Sequence, residues 1–149
     1  MQRLTLLILI MLLTAPAAAQ ELGCGVSTIP REQIRYGCGC GYHLRTDDGL
    51  QTLFQAELDG SEPRMFIDGE LVELTASPEN ADNQYSEVGD EFVETYQDES
   101  LTILFRNRVS FTCGEWSAGC EVTRFDTTLH IGGASCSVEV ADVIGACGC

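Results

Sequence analysis

Eight cysteines carry most of the chemistry in this sequence: Cys24, Cys38, Cys40, Cys113, Cys120, Cys136, Cys147 and Cys149. Four of them form the same motif twice, Cys38-Gly39-Cys40 and Cys147-Gly148-Cys149. In a strand, residues i and i+2 share a face, so two such strands side by side gather four sulfurs on one surface. Three chemistries suit that arrangement: two parallel disulfides, a four-thiolate Zn or Cu(I) site, or a redox-active pair. The even count favours disulfides. Bridging the two motifs joins the first core strand to the last, and closing so long a loop is worth about 4.7 kcal/mol. Cys113 and Cys120 bound the short loop Cys-Gly-Glu-Trp-Ser-Ala-Gly-Cys between two strand-like runs. A bridge at that hairpin mouth contributes about 2.5 kcal/mol. Cys24 and Cys136 remain and pair by elimination.

The other reactive side chains form no catalytic set. His43 and His130 lie in strand-like runs without metal-ligand spacing, and no Gly-x-Ser-x-Gly turn accompanies either. Gly132-Gly133-Ala134-Ser135 reads as a hairpin turn. The acidic pairs Asp47/Asp48, Asp90/Glu91 and Asp98/Glu99 follow from 23 acids in 149 residues. No spaced Asp-x-Asp-x-Asp-Gly calcium loop is present. The chain has no Lys, which removes Schiff-base and P-loop chemistry. We therefore read no catalytic residue and no cofactor site, and the thiols Cys38, Cys40, Cys147 and Cys149 are the alternative metal ligands. Trp116, the single Trp, sits inside the Cys113–Cys120 loop. Rigid aromatics on constrained loops make good partner contacts.

The elements that hold these residues read as strands. Over 101–113, Leu101, Ile103, Phe105, Val109, Phe111 and Cys113 alternate with polar residues, and only Leu104 and Asn107 break the pattern. Over 50–58, Leu50, Phe54, Ala56 and Leu58 are expected on one face. Asp48-Gly49, Asp68-Gly69 and Gly132-Gly133 are two-residue hairpin signals, and Asp59-Gly60 is a further turn. A turn at Gly132-Gly133 would set Leu129 opposite Cys136. Residues 21–36 have room for one short helix starting at Ser27, Thr28 or Pro30, and 76–90 is the longest loop. The expectation is an all-β fold, a single antiparallel meander of about seven to eight strands forming a small, disulfide-stapled barrel or sandwich.

Met1-Gln2-Arg3, the apolar run Leu4–Leu13 and Ala17-Ala18-Ala19 have the order of an export leader. The apolar run is half the length of a spanning helix. The sequence thus divides into a signal peptide (1–19), an N-terminal extension (20–36) and a β domain (37–149), periplasmic or secreted. Loss of Arg3 with the leader takes the net charge from −15 to −16. That charge argues against nucleic acid and against anionic membrane as partners. It steers toward basic proteins.

The layout from Tyr36 onward resembles the exported C-type lysozyme inhibitor proteins. A Cys-led strand (Cys38 to Leu44) is followed by Leu53 to Leu58 before an Asp-Gly, the strand Gly69-Glu70-Leu71-Val72-Glu73-Leu74, and a loop ending at Tyr85. The family's inhibitory loop has Ser-Gly two residues before a Tyr. Here the approach is Ala81-Asp82-Asn83-Gln84-Tyr85, so no inhibitory residue carries over. The chain is also similar to short exported bacterial proteins that end in Cys-Gly-Cys. Two functions follow: a binding or inhibitory module for a basic partner such as a lysozyme, or a Zn/Cu-binding protein using the clustered thiols.

Overall fold

Leu101, Ile103, Phe105, Asn107 and Val109 are buried, and Thr102, Arg106, Arg108 and Ser110 between them are exposed. In the computed structural model this stretch is one twelve-residue strand, β9 (Leu101–Thr112). The structure describes residues 19–83, 87–113 and 121–149. The other strands are β1 (Glu21–Gly23), β2 (Val26–Ser27), β3 (Gly39–Thr46), β4 (Gly49–Ala56) and β5 (Arg64–Ile67). They continue with β6 (Glu70–Glu73), β7 (Thr75–Ala76), β8 (Glu91–Gln97), β10 (Val122–Gly133) and β11 (Ser137–Gly148). The fold is all-β, every pairing is antiparallel, and among the described residues there is no α-helix.

The strands form one sheet in the order β1-β2-β5-β4-β3-β11-β10-β9-β8-β7, with β6 on β5. This corrects the expected seven to eight strands in a barrel or sandwich: among the described residues there are eleven, in a single open sheet. Two causes raise the count. The segment 20–36 supplies β1 and β2, and β2 adds to the edge of β5. The stretch 70–76 divides at Leu74, whose N–H donates to the Pro63 carbonyl at 2.7 Å, so that β6 pairs with β5 and β7 with β8. The two ends of the sheet are thus joined through the chain at Leu74, without a ladder between them.

The sheet curls strongly, as twisted strands do, and its inner face makes one core. Tyr42 of β3 stacks on Phe105 of β9 at 3.9 Å between ring centroids, and Phe54 of β4 lies 4.7 Å from Tyr96 of β8. Gly145 of β11 makes room for this packing, because a Cβ there would sit 2.5 Å from the Tyr42 ring and 2.7 Å from that of Phe125.

Asp68-Gly69 turns as expected, with φ of 49° and 84° between the paired Ile67 and Glu70. The other two hairpin signals are displaced. The β3–β4 loop is Asp47-Asp48, between Thr46 and Gly49. The β10–β11 loop is Ala134-Ser135, closed by the Gly133 N–H to the Cys136 carbonyl at 2.9 Å, so Leu129 faces Val140 and not Cys136. Gly133 is required in the strand itself, where a Cβ would meet the Leu101 side chain at 2.9 Å and the Cys136 sulfur at 3.1 Å. In β4 the expected single face fails. A bulge at Leu53 (Tyr42 opposite Phe54, His43 opposite Thr52) reverses the phase and leaves Leu50 58 % exposed. Leu58 lies past the end of the strand, 51 % exposed. Where a short helix was expected there is one 3-10 turn, Arg31–Gln33, after Pro30. The 76–90 stretch contains a second, Pro78–Asp82. Asn80 there exchanges two bonds with the Thr95 backbone (2.8 and 2.9 Å) and Asn83 donates to the Val93 carbonyl at 2.8 Å, covering the free edge of β8.

Candidate functional site

The two Cys-Gly-Cys motifs lie on neighbouring strands. Cys40 is directly opposite Cys147 in the β3–β11 ladder and bonded to it, with Cα atoms 4.0 Å apart. One step outward, Cys38 is bonded to Cys149 with Cα atoms 4.2 Å apart. Cys24, at the β1–β2 turn, is bonded to Cys136 beside the β10–β11 loop, with Cα atoms 5.6 Å apart. With these sulfurs bonded in pairs, none carries the thiolate that Zn or Cu(I) requires. Among the described residues no group of three His, Cys, Asp or Glu side chains is placed to hold a metal. Cys113 is in a disulfide as well. Its predicted partner Cys120, the predicted contact residue Trp116, and Tyr85 lie outside the described residues. Three long-range bridges are the chemistry of an oxidising compartment. No helix among the described residues is long and apolar enough to cross a membrane.

The histidines are held separately. His43 is on the outer face of β3, its Nδ1 3.3 Å from the Thr52 hydroxyl, and burial lowers its pKa. It lines a cleft of about 550 Å³ beside the paired disulfides, together with Arg31, Arg35 and Tyr36. Arg35 is tied to Glu57 (3.3 Å) and to Glu62. His130 of β10 faces Glu139 of β11, with Nδ1 to Oε2 at 3.3 Å. Of the acidic pairs, Asp47 and Asp48 form a hairpin loop, and Asp98 Oδ1 accepts from the N–H groups of Ser100 and Leu101 at 2.6 and 2.7 Å.

A polar chain inside the curl was not singled out from the sequence. The Thr127 hydroxyl of β10 donates to Asn107 Oδ1 of β9 at 2.7 Å. Asn107 Nδ2 donates to the Tyr42 hydroxyl at 2.8 Å, and that hydroxyl donates to the Glu94 carboxylate of β8. Asn107 and Thr127 are each 3 % exposed. Burial pushes the Glu94 carboxyl above the usual carboxylate range, against the hydrogen bonds from Tyr42, Asn107 and Tyr96 that favour its ionised form. Burial, and then the Glu94 charge, push the Tyr42 phenol well up. The signals for this chain are present in the sequence. Asn107 takes an inward position of β9, and Glu94 takes the inward position between Phe92 and Tyr96 in β8.

Glu94 and Tyr96 also line a cleft of about 400 Å³ at the end of the sheet. Its walls come from Cys40, Ala56 and Leu58 on one side and from Ala76, Pro78 and Ala81 on the other. Asp59, Ser77, Asn80 and Asn83 add polar groups to the lining, so the cleft has partly apolar walls with the Glu94 carboxylate among them. Compared with protein-family models, curated proteins and solved structures, the chain matches none.

Proposed function

We propose that the chain is an exported β module, periplasmic or secreted after removal of residues 1–19, that binds a basic partner protein such as a lysozyme and thereby sequesters or inhibits it. The observation that carries this reading is charge: 23 acids against the 7 arginines left once Arg3 goes with the leader, on a frame held by long-range disulfides. Arg35 with Glu57 and Glu62, and His130 with Glu139, take up a small part of it. A surface of one sign accelerates encounter with the opposite sign and repels other polyanions. A pre-ordered frame also lowers the entropy lost on docking. Trp116 is the aromatic contact residue in this proposal.

The test is surface binding of the mature chain to an immobilised C-type lysozyme and to an acidic control protein across a salt series, with lysozyme activity followed in parallel. The expected result is association with the lysozyme alone, an on-rate that falls steeply with salt, and loss of lysozyme activity at stoichiometric amounts. Absence of binding at low ionic strength, or an on-rate indifferent to salt, would reject the proposal.

A further inference from the structure

The cleft at the end of the sheet has a chemistry that narrows the partner. Glu94 projects inward from β8 and lines the cleft. Among the described residues no Arg or His lines this cleft, and the other charged residue there is the exposed Asp59. Among the described residues Glu94 has no ion-pair partner. A half-buried carboxylate without a cation is costly to keep, and it gains most from one delivered with the surrounding water excluded. Tyr42, Asn107 and Tyr96 hydrogen-bond to it. A carboxylate has about four acceptor positions, so one remains. Ala56, Ala76 and Pro78 give the walls an apolar surface, which suits an aliphatic stem. The volume of about 400 Å³ is at the low end of ligand pockets, about 300–1,000 Å³. It has room for a side chain and not for a folded element.

We infer that this cleft receives a single arginine side chain of the basic partner, with its stem against the apolar walls and its guanidinium at the Glu94 carboxylate. Arginine is preferred over lysine because the guanidinium is more weakly hydrated than an ammonium and gives up its water more readily. The Tyr42–Asn107–Thr127 chain holds the carboxylate in place from behind, so it needs no reordering on binding. The inference rests on the basic-partner reading and names what that partner presents.

The probe is acetyl-arginine methylamide, paired with its citrulline counterpart, which keeps the shape and lacks the charge. Amide NMR of the mature chain should show shifts at Ala56, Leu58 and Glu94 with the arginine probe and none with citrulline. Glu94→Gln should weaken the arginine probe by about tenfold or more. Ala81→Trp, which fills the rim and leaves Glu94 in place, should do the same and carries the test if the first variant misfolds. Equal responses to the two probes, or unchanged affinity in both variants, would overturn the inference. So would retention of full lysozyme binding by both variants, since insertion into the cleft is then unnecessary. Arginine-probe binding without binding of any basic protein would overturn the partner reading and leave the cleft standing as a guanidinium site.

Discussion

Asn107 is the residue on which the interior polar chain turns, because it accepts from Thr127 and donates to Tyr42 with one amide. Replacing it with Ala takes the acceptor from the buried Thr127 hydroxyl and the donor from the Tyr42 hydroxyl, which keeps its bond to Glu94. Asn107→Ala should therefore lower stability by about 1–3 kcal/mol, measured by urea unfolding. Asn107→Asp should not rescue it, since a carboxylate has no donor for the Tyr42 hydroxyl. The Glu94 carboxyl gives a pH signature whose sign follows from its raised pKa. A folded-state pKa above the unfolded value stabilises fully below the unfolded value, about 4.5, and the contribution fades as pH rises through the folded value. Glu94→Gln removes that fading. The variant should therefore gain relative to the parent as pH rises above about 4.5; a stability difference flat with pH would show that Glu94 titrates as an ordinary carboxyl. Asn107 was visible in the sequence as a break in an otherwise clean alternation. Its meaning was not, because a period-two pattern gives the face a residue takes and is silent about which strands meet across the interior.

At the level of elements, β3 and β11 form the seam that two adjacent bridges fasten. Cys38 and Cys149 are exposed, whereas Cys40 and Cys147 are half-buried. Thiol exchange needs access to sulfur, so graded reduction followed by alkylation should label Cys38 and Cys149 before Cys40 and Cys147. Cys147→Ser with Cys149→Ser should cost about 2–5 kcal/mol. Along the same strand, Gly145→Ala forces a methyl group between Tyr42 and Phe125. The overpacking should cost about 1–3 kcal/mol in a urea titration. The adjacency of these strands could be argued from spacing alone, since Cys-x-Cys on each places its sulfurs on one face. The bulge at Leu53 could not: Thr52, Leu53 and Phe54 are buried in succession, and a run of that kind carries no phase. The displaced turn at Ala134-Ser135 has a related cause, because a Gly needed for close packing, as Gly133 is, resembles a Gly needed for a turn.

For the whole molecule, the meander was legible and its ends were not. Hairpin signals between alternating runs give the order of neighbours. Whether a sheet closes depends on where an edge strand bends, and Leu74 in the run Glu70-Leu71-Val72-Glu73-Leu74 has no Gly or Pro beside it to mark a break. The leader reading predicts a purified chain that begins at Gln20, which intact-mass measurement decides; retained Met1 or a lipid on Cys24 would reject it. The three bridges among the described residues also set a timetable. Each joins a cysteine of the first 40 residues to one of the last 14, over separations of 112, 111 and 107 residues. On the export reading the chain crosses N-terminus first, so Cys24, Cys38 and Cys40 reach the oxidising side as thiols before any of these partners. During that interval the nearest oxidation is between Cys38 and Cys40 themselves, an error that must later be undone. The seam is therefore the last part of the molecule to be made correct, and the yield of native protein is expected to depend on a disulfide isomerase more than on an oxidant.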